Sequence, residues 1–349
     1  MVAAGWRDGR PATIGRVRAD VLPAAIAALP RFRLFDPPSP FMRLPRFSAA
    51  LGDRAEVWVK REDLLPLAFG GNKLRNLEFL VGAALADGAD TLVTSGRRWS
   101  NHGRLTAAAG AKAGLDVHLV VSGPPVSPPG ANERLDALLG AMVHVAATDA
   151  RSEREELLGR VVAELRESGG RPYVIGVGGG GSIGAAGQVL AGIELAGQAR
   201  AAGRSPSTIV LPSATGGTQA GILAGLRVAG SDASVVGVAV AGPADELRPS
   251  IAALLEGLAP VAGLRVDEGE IVLTDDQRGL AYGVPTAAGT AASELLARTE
   301  GIFVDPIYTA KALAELIARV RDGRLSGTVV FWHAGGTPGL FEVLPTAAG

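Results

Sequence analysis

The chain has 349 residues, of which 47% are hydrophobic but only 5% aromatic, with 48 glycines and a formal net charge of −1. This length is sufficient for two domains with a large core of Ala, Val and Leu, and the near-neutral charge argues against nucleic acid or an anionic membrane as the main partner. The absence of cysteine excludes disulfides and thiolate metal sites, and no apolar run approaches the roughly 18 residues of a membrane helix.

The first 33 residues contain arginines and a short Ala/Leu patch bounded by Pro23 and Pro30. The patch is too short and too interrupted for a secretory signal, and it matches a transit peptide only weakly. A cytoplasmic protein with an N-terminal extension over residues 1–33 is therefore expected.

From Val57 onward, apolar strand-like runs alternate with helical runs rich in Ala and Leu. Strands are predicted at Val57–Arg61, Thr91–Ser95, Val117–Val121, Val143–Ala146, Pro172–Ile175, Thr208–Leu211, Val235–Val240 and Val329–His333. Helices are predicted at Lys73–Ala86, His102–Ala113, Asn132–Leu139, Arg151–Glu167, Gly184–Ala202, Thr218–Val228, Asp245–Leu255, Thr290–Arg298 and Ala310–Arg321. This alternation indicates an α/β fold with open, mostly parallel sheets covered by helices on both faces. Ligands bind such sheets at the carboxyl ends of strands, so the strand-to-helix loops should carry the site.

Lys73 lies in the first turn of a predicted helix, directly after Gly70, Gly71 and Asn72. A lysine at a helix N-terminus is mildly unfavourable, because that end carries partial positive charge. The same field, with partial burial, would lower the pKa of the amine and suit a Schiff-base lysine. From this stretch alone, a solvated surface lysine is the alternative.

The loop Ser213-Ala214-Thr215-Gly216-Gly217-Thr218 joins a predicted strand to a predicted helix. Glycines and hydroxyls at a helix N-terminus direct several N–H and O–H donors to one point, which suits a phosphate. No Gly-Lys-Ser/Thr follows, so the loop is not of the Walker type. An ordinary glycine-rich turn is the alternative.

A second loop contains Ser100, Asn101 and His102 at the start of the next predicted helix. Helix capping accounts for at most one of these polar side chains, and a substrate carboxylate or a cofactor hydroxyl would use the others.

A third loop matches G-x-G-x-x-G at Gly176, Gly178 and Gly181, so a dinucleotide site is a further alternative. The acidic residue expected about 20 positions later is missing from a strand end. The nearest acid, Glu194, lies inside a helical pattern. A hinge or close backbone packing is favoured here.

Two of the three tyrosines, Tyr282 and Tyr308, lie in loops punctuated by glycine or proline, and Tyr308 follows Asp305-Pro306. Such tyrosines suit stacking or proton transfer better than a core position. The four histidines show no metal-ligand spacing, so no metal is predicted.

Together these loops resemble one family, and the similarity runs from about Phe35 to Phe341. The motifs occur in the order seen in the 1-aminocyclopropane-1-carboxylate deaminase / D-cysteine desulfhydrase family: Lys60-Arg61-Glu62-Asp63, Gly70-Gly71-Asn72-Lys73, Ser100-Asn101-His102, Thr215-Gly216-Gly217-Thr218, Tyr282-Gly283-Val284-Pro285 and Ala297 to Tyr308. The resemblance implies pyridoxal 5'-phosphate as cofactor, the fold of tryptophan synthase β (fold type II) and a homodimer. It also implies a large cofactor-binding domain of residues 1–75 and 188–349, and a small mobile domain of residues 76–187.

The resemblance also assigns roles to individual residues. Lys73 would hold the cofactor and act as the base at the substrate carbon, and the residues from Ser213 to Thr218 would hold the phosphate. Asn101 would lie beside the cofactor ring and Ser100 at the substrate carboxylate. Tyr282 and Tyr308 would face the substrate, with stacking and acid, base or nucleophile roles left open. Ser100, Asn101 and His102 are predicted to bind the substrate on this resemblance, and Arg98 and Trp99, which differ from the family pattern, are predicted to bind it because they adjoin these residues.

Thr309 stands where the deaminase branch has Glu as the partner of the ring nitrogen, and where the desulfhydrase branch has Thr. A neutral hydroxyl supports a weaker electron sink than a carboxylate, because charged hydrogen bonds are roughly twice as strong. This favours β-elimination, with release of a leaving group, pyruvate and ammonia, over opening of a cyclopropane ring.

The sequence departs from both branches at Arg97, Arg98, Trp99, Gly176 and Ala334. A tryptophan and two arginines beside the carboxylate site suggest an anionic or larger β-substituted amino acid as substrate. A β-replacement enzyme, a 1-aminocyclopropane-1-carboxylate deaminase and a non-catalytic binding protein on the same fold are the alternatives.

Overall fold

The computed structural model describes residues 22–123, 126–342 and 344. Residues 1–21 of the predicted N-terminal extension lie outside the described residues. Within the described residues no helix is both long and apolar enough to cross a membrane.

The larger of two sheets has six strands in the order β1-β2-β10-β7-β8-β9, all parallel except β1. The smaller sheet has four parallel strands in the order β5-β4-β3-β6. The strands are β1 Phe41–Arg43, β2 Ala55–Arg61, β3 Thr91–Arg97, β4 Asp116–Ser122, β5 Met142–Val145, β6 Pro172–Ile175, β7 Thr208–Ser213, β8 Ser234–Ala239, β9 Val272–Thr274 and β10 Gly327–His333.

The helices that cover these sheets are α1 Ala24–Ala27, α2 Pro45–Ala50, α3 Lys73–Ala86, α4 Asn101–Ala113, α5 Ala131–Leu138, α6 Arg151–Glu167, α7 Ser182–Ala201, α8 Gly217–Val228, α9 Ala244–Ala262, α10 Ala287–Glu300 and α11 Thr309–Arg321.

Strand β10 shows why the central strands are apolar at every position. Val330 and Trp332 pack into a core with α7, α8 and α9, whereas Val329 and Phe331 pack into a second core with α10 and α11 on the opposite face. Successive side chains of a strand point to opposite faces, so a strand between two helical layers needs apolar residues throughout. The predicted α/β class with two mostly parallel sheets is confirmed.

Every predicted strand and helix is present, although the ends of most of them shift. The helix predicted over Asp245–Leu255 continues to Ala262, with Pro249 and Pro260 inside it. The strands that the sequence did not reveal, β1 and β9, have three residues each and form the two edges of the larger sheet. Such short segments offer too few positions for a period-2 pattern to appear. The smaller sheet falls within the range predicted for the small domain, whose exact bounds stay a prediction.

Candidate active site

A cavity of about 360 Å³ lies between the carboxyl ends of the two sheets. Loops after β3 and β6 line it from the smaller sheet, and loops after β7, β8 and β10 line it from the larger sheet. The cavity therefore occupies the position at which parallel sheets bind ligands.

Lys73 is the first residue of α3 and lines the cavity. The chain contains three other lysines. Lys60 is held in a buried ionic network, and Lys112 and Lys311 donate to backbone carbonyls at 2.9 and 2.7 Å. Burial lowers the pKa of Lys73 to about 8, so about a tenth of this amine is unprotonated at pH 7, far more than for a lysine with the ordinary pKa. Burial also lowers the pKa of Lys311 to about 8, and what separates the two amines is that Lys73 faces the cavity.

The loop before α3 is tied to its surroundings by backbone geometry. Gly70 has φ +65°, and a Cβ at this position would lie 2.4 Å from the carbonyl oxygen of Asp63, so only glycine fits. Asn72 donates its backbone N–H to Ala334 at 2.8 Å and its side-chain amide to Thr218 Oγ1 at 2.7 Å. These bonds place the start of α3 beside the loop that follows β7.

The predicted phosphate loop connects β7 to α8. The Ser213 hydroxyl is buried and has no hydrogen-bond partner among the described residues. Gly216 precedes α8 with φ +82°, where a Cβ would lie 2.5 Å from Ile251 Cγ1. Five of the six predicted residues, all except Gly217, line the cavity. An unpaired hydroxyl beside free N–H groups at a helix N-terminus is a donor set that fits a phosphate.

The loop after β3 brings three predicted residues to the cavity. Ser100 caps α4 by accepting from Gly103 N at 3.1 Å, which leaves its own O–H free to donate. Asn101 accepts from Arg104 at 2.8 Å through Oδ1, so its amide N–H groups remain available to a ligand. His102 is buried with Nε2 3.1 Å from Thr94 Oγ1, and burial lowers its pKa to about 3, so the ring is neutral.

The two predicted tyrosines meet in the cavity, where Tyr282 and Tyr308 hydrogen-bond through their hydroxyls. Burial raises the pKa of both. The hydrogen bond from Tyr308 and the positive charge of Arg97 oppose the rise for Tyr282, whereas the neighbouring Tyr282 raises that of Tyr308 further. Tyr282 is therefore the stronger acid of the pair.

Thr309 lines the cavity beside the buried Asp305. Its hydroxyl donates to the Asp305 carboxylate and accepts from the Asp305 backbone N–H at 2.9 Å. The same carboxylate accepts from the backbone N–H of Tyr308 at 2.7 Å. Asp305, which the sequence indicated only as a neighbour of Tyr308, thus holds both Tyr308 and Thr309 in place.

The neighbouring residues Arg97, Arg98 and Trp99 differ in their relation to the cavity. Arg97 lines it, whereas Arg98 turns away to donate to the Gly123 carbonyl at 2.9 Å and to pair with Glu133 at 2.5 Å. Trp99 is buried behind the cavity, with its ring centroid 6.1 Å from that of Tyr282. Arg98, the arginine predicted to bind the substrate, is thus directed away from the cavity, and its neighbour Arg97 lies at the cavity wall.

A buried ionic network lies beneath Lys73, and the sequence did not reveal it. Arg75, on α3, pairs with Glu62 at 2.6 Å and with Glu194 at 2.9 Å, and Lys60 pairs with Glu194 as well. Glu194 is the acidic residue nearest to the position that a dinucleotide site at the glycine run would require, but it lies inside α7 and both cations pair with its carboxylate. Gly178, within that run, instead lines the cavity beside the Thr215 side chain.

Comparisons with known proteins agree on one family. Residues 33–335 match a family model described as pyridoxal-phosphate dependent enzyme. The chain is 39% identical over 326 residues to a D-cysteine desulfhydrase of Yersinia pestis (strain Pestoides F), covering 92% of this chain and 98% of the relative. The same values hold for the D-cysteine desulfhydrase of Yersinia pseudotuberculosis serotype I (strain IP32953).

Solved structures are similar over the same region. The crystal structure of an ACC deaminase homologue superposes with a TM-score of 0.84 at 34% identity, covering 91% of this chain and 95% of that one. The crystal structure of an O-ureido-L-serine synthase superposes with a TM-score of 0.64 at 21% identity, covering 90% and 92%, and supports the fold alone.

Proposed function

We propose that this chain, which belongs to the family of pyridoxal-phosphate-dependent enzymes, is a lyase that catalyses β-elimination from a small amino acid. Its similarity to proteins named D-cysteine desulfhydrase supports this proposal. The observation that carries this proposal is the meeting of Lys73, the loop after β7 and the pair Tyr282–Tyr308 in one cavity.

The residues of the cavity fit the cofactor. Lys73 would hold it covalently, and the unpaired Ser213 hydroxyl with the N–H groups at the start of α8 would hold its phosphate. Asn101 offers amide N–H donors for an oxygen on the ring. Thr309 offers an uncharged oxygen for the ring nitrogen.

When bound, pyridoxal phosphate supplies an electron sink next to the substrate Cα. The Lys73 amine, with its pKa lowered to about 8, accepts the proton from Cα near neutral pH. Ser100 and the N-terminus of α4 bind the substrate carboxylate. Tyr282, the more acidic of the two tyrosines, donates a proton to the leaving group while Tyr308 orients it. The products are the leaving group, pyruvate and ammonia.

The environment of Thr309 supports elimination over ring opening. The hydrogen of its hydroxyl is donated to the Asp305 carboxylate, so Thr309 can offer the ring nitrogen only a neutral oxygen and not a charged carboxylate. The weaker electron sink that results suits a substrate with a good leaving group.

Reductive trapping tests the assignment of Lys73. Borohydride treatment of the protein with pyridoxal phosphate, followed by peptide mass mapping, should place the cofactor mass on the Lys73 peptide and leave the Lys311 peptide unmodified. The visible absorption of the bound cofactor should disappear in Lys73→Ala and persist in Lys112→Ala, a control whose amine donates to a carbonyl outside the cavity. Modification of another lysine would refute the assignment.

A panel of β-substituted amino acids in both stereochemistries then tests the reaction. Release of pyruvate from a substrate with a β-leaving group is expected, and 1-aminocyclopropane-1-carboxylate should release no 2-oxobutyrate, the product that opening of its ring would give. A product that retains an added nucleophile would instead indicate β-replacement.

We also propose a homodimer, which the family resemblance supports, and light scattering of the purified protein would measure it. The cytoplasmic location stays a prediction of the sequence.

A further inference from the structure

Three arginines line one wall of the cavity. Arg97 ends β3, Arg151 begins α6, and Arg154 lies one turn further along α6. None of them belongs to the motifs on which the family resemblance depends, so the proposed elimination leaves their charges without a role.

Arg154 is the most informative of the three because it is only 7% exposed. Its Nη1 donates to the Ser122 hydroxyl at 3.0 Å, and its Nε has no hydrogen-bond partner in the described part of the chain. No carboxylate of the described residues lies within 4.0 Å of this guanidinium. A buried charge without an anionic partner is costly, and such groups are normally paired. An anion in the cavity would supply the missing partner.

The charges around Arg154 leave an excess of positive charge. Arg97 pairs with Asp149 at 2.5 Å, and Arg151 pairs with Glu155 at 2.6 Å. Asp149 also lines the cavity, and Arg151 and Glu155 are both half or more exposed, so the charge that stays without a carboxylate partner among the described residues is that of the buried Arg154. Burial, together with the nearby Arg97 and Arg151, lowers the pKa of Arg154.

The arginines lie close to the residues that would handle the substrate. The Arg97 carbonyl accepts from the backbone N–H of Ser100 at 2.9 Å, so the two residues are joined by one turn. Arg97 also lies near enough to Tyr282 for its charge to lower the pKa of the hydroxyl proposed to protonate the leaving group. In the proposed function, Ser100 and the start of α4 bind the α-carboxylate of the substrate. The arginines are therefore suited to a second anionic group.

We propose that the substrate is an amino acid whose β-substituent carries a negative charge, such as a sulfonate or a phosphate, and that Arg154 and Arg97 bind that substituent. This inference rests on the proposed lyase function. In the reaction the Cα–H bond breaks and its proton passes to Lys73. The bond from Cβ to the substituent breaks, and the substituent leaves with the electron pair. One water then converts the remaining enamine into pyruvate and ammonia.

The test compares the holoenzyme on charged and neutral substrates. Cysteate and O-phosphoserine carry the extra charge, whereas cysteine and β-chloroalanine do not, and each is supplied in both stereochemistries. The wild type should show a kcat/KM at least about tenfold higher for a charged substrate. Arg154→Gln should lose about 100-fold on the charged substrate and less than about threefold on the neutral ones, because truncation of one partner of a buried charge pair is costly. Arg97→Gln should lose about tenfold, and Arg154→Lys should recover part of the loss.

Arg98→Gln is the matched control, because the Arg98 side chain pairs with Glu133 away from the cavity. It should leave the ratio of the two specificities unchanged. A wild-type preference for neutral substrates would overturn the proposal. An equal loss on both substrate classes in Arg154→Gln would also overturn it, since that result would assign the arginine to the α-carboxylate. Thermal melting of each variant excludes a folding defect as the cause.

A binding measurement separates this proposal from the lyase proposal. Calorimetric titration with 2-amino-3-phosphonopropionate should give a Kd at least about tenfold lower than with 2-aminobutyrate, and Arg154→Gln should abolish the difference. Such binding without turnover of any amino acid would refute the lyase function and retain the anion site. Turnover of neutral substrates without this binding difference would refute the anion site and retain the lyase.

Discussion

Replacement of Glu194 by glutamine is expected to destabilise the fold by about 3–5 kcal/mol. Glu194 joins the cations Lys60 and Arg75 in a network whose other anion, among the described residues, is Glu62. All four side chains are at most 5% exposed. Because glutamine keeps the shape and removes the charge, the variant buries two cations against one carboxylate.

The pKa of Glu194 gives a second measure of the same interaction. Burial would raise this pKa, but Arg75 and Lys60 overcome that effect and lower it from 4.5 to about 2. This fall corresponds to about 3 kcal/mol, in line with the cost of breaking a buried pair. Because the folded-state pKa is depressed, the stabilisation is present above pH 4.5 and is lost as the pH falls toward 2.

Urea unfolding of the apoprotein at pH 7 measures the effect. Glu256→Gln is the control, since its pair with Arg265 is more than half exposed and should contribute at most about 1 kcal/mol. The difference between wild type and Glu194→Gln should narrow as the pH is lowered below 4.5. A loss below about 1 kcal/mol at pH 7, or a difference that does not change with pH, would refute the reasoning. Since Arg75 lies on α3 two residues after Lys73, weaker cofactor retention should accompany the loss.

Three further predictions concern the cavity. Gly216→Ala should destabilise the apoprotein by about 1–3 kcal/mol in urea unfolding. Gly216 has φ +82°, and a Cβ at this position would lie 2.5 Å from a side-chain carbon of α9. Gly217→Ala is the control and should change stability little, because its Cβ would meet nothing within 4 Å. The rate at which the apoprotein binds pyridoxal phosphate, followed by absorbance, should rise with pH through a midpoint of about 8. The reason is that only the unprotonated Lys73 amine attacks an aldehyde. A rate independent of pH from about 7 to 9 would contradict the lowered pKa of Lys73. Tyr282→Phe should lower kcat by about 100-fold and leave the cofactor spectrum unchanged. Tyr308→Phe should lower kcat less, because Tyr282 is the stronger acid of the pair. A larger loss of kcat in Tyr308→Phe would exchange the roles of the two tyrosines.

The architecture could be predicted from the sequence because it depends on local patterns. Apolar strands that alternate with helical runs require parallel sheets between helical layers, and every predicted element is present. The position of Lys73 at the start of α3 follows in the same way from the glycines before it. The loops that line the cavity are those at strand ends, as the general geometry of parallel sheets demands.

Only the tertiary structure decided which of two neighbouring arginines reaches the cavity. Arg97 and Arg98 are adjacent residues of the same type. Arg97 ends a strand of the smaller sheet and lines the cavity, whereas Arg98 turns toward Glu133. The partner of Arg98 lies 35 residues away in sequence, so no local pattern could indicate it.

The same reason explains the two groups of charges that the sequence did not reveal. Lys60 and Glu194 are separated by 134 residues, and Arg154 approaches Arg97 only because α6 packs against β3. Periodicity along a chain determines which residues face a core. Which charges are paired inside that core, and which remain unpaired beside a cavity, depends on how distant elements pack, and only the tertiary structure fixes that packing.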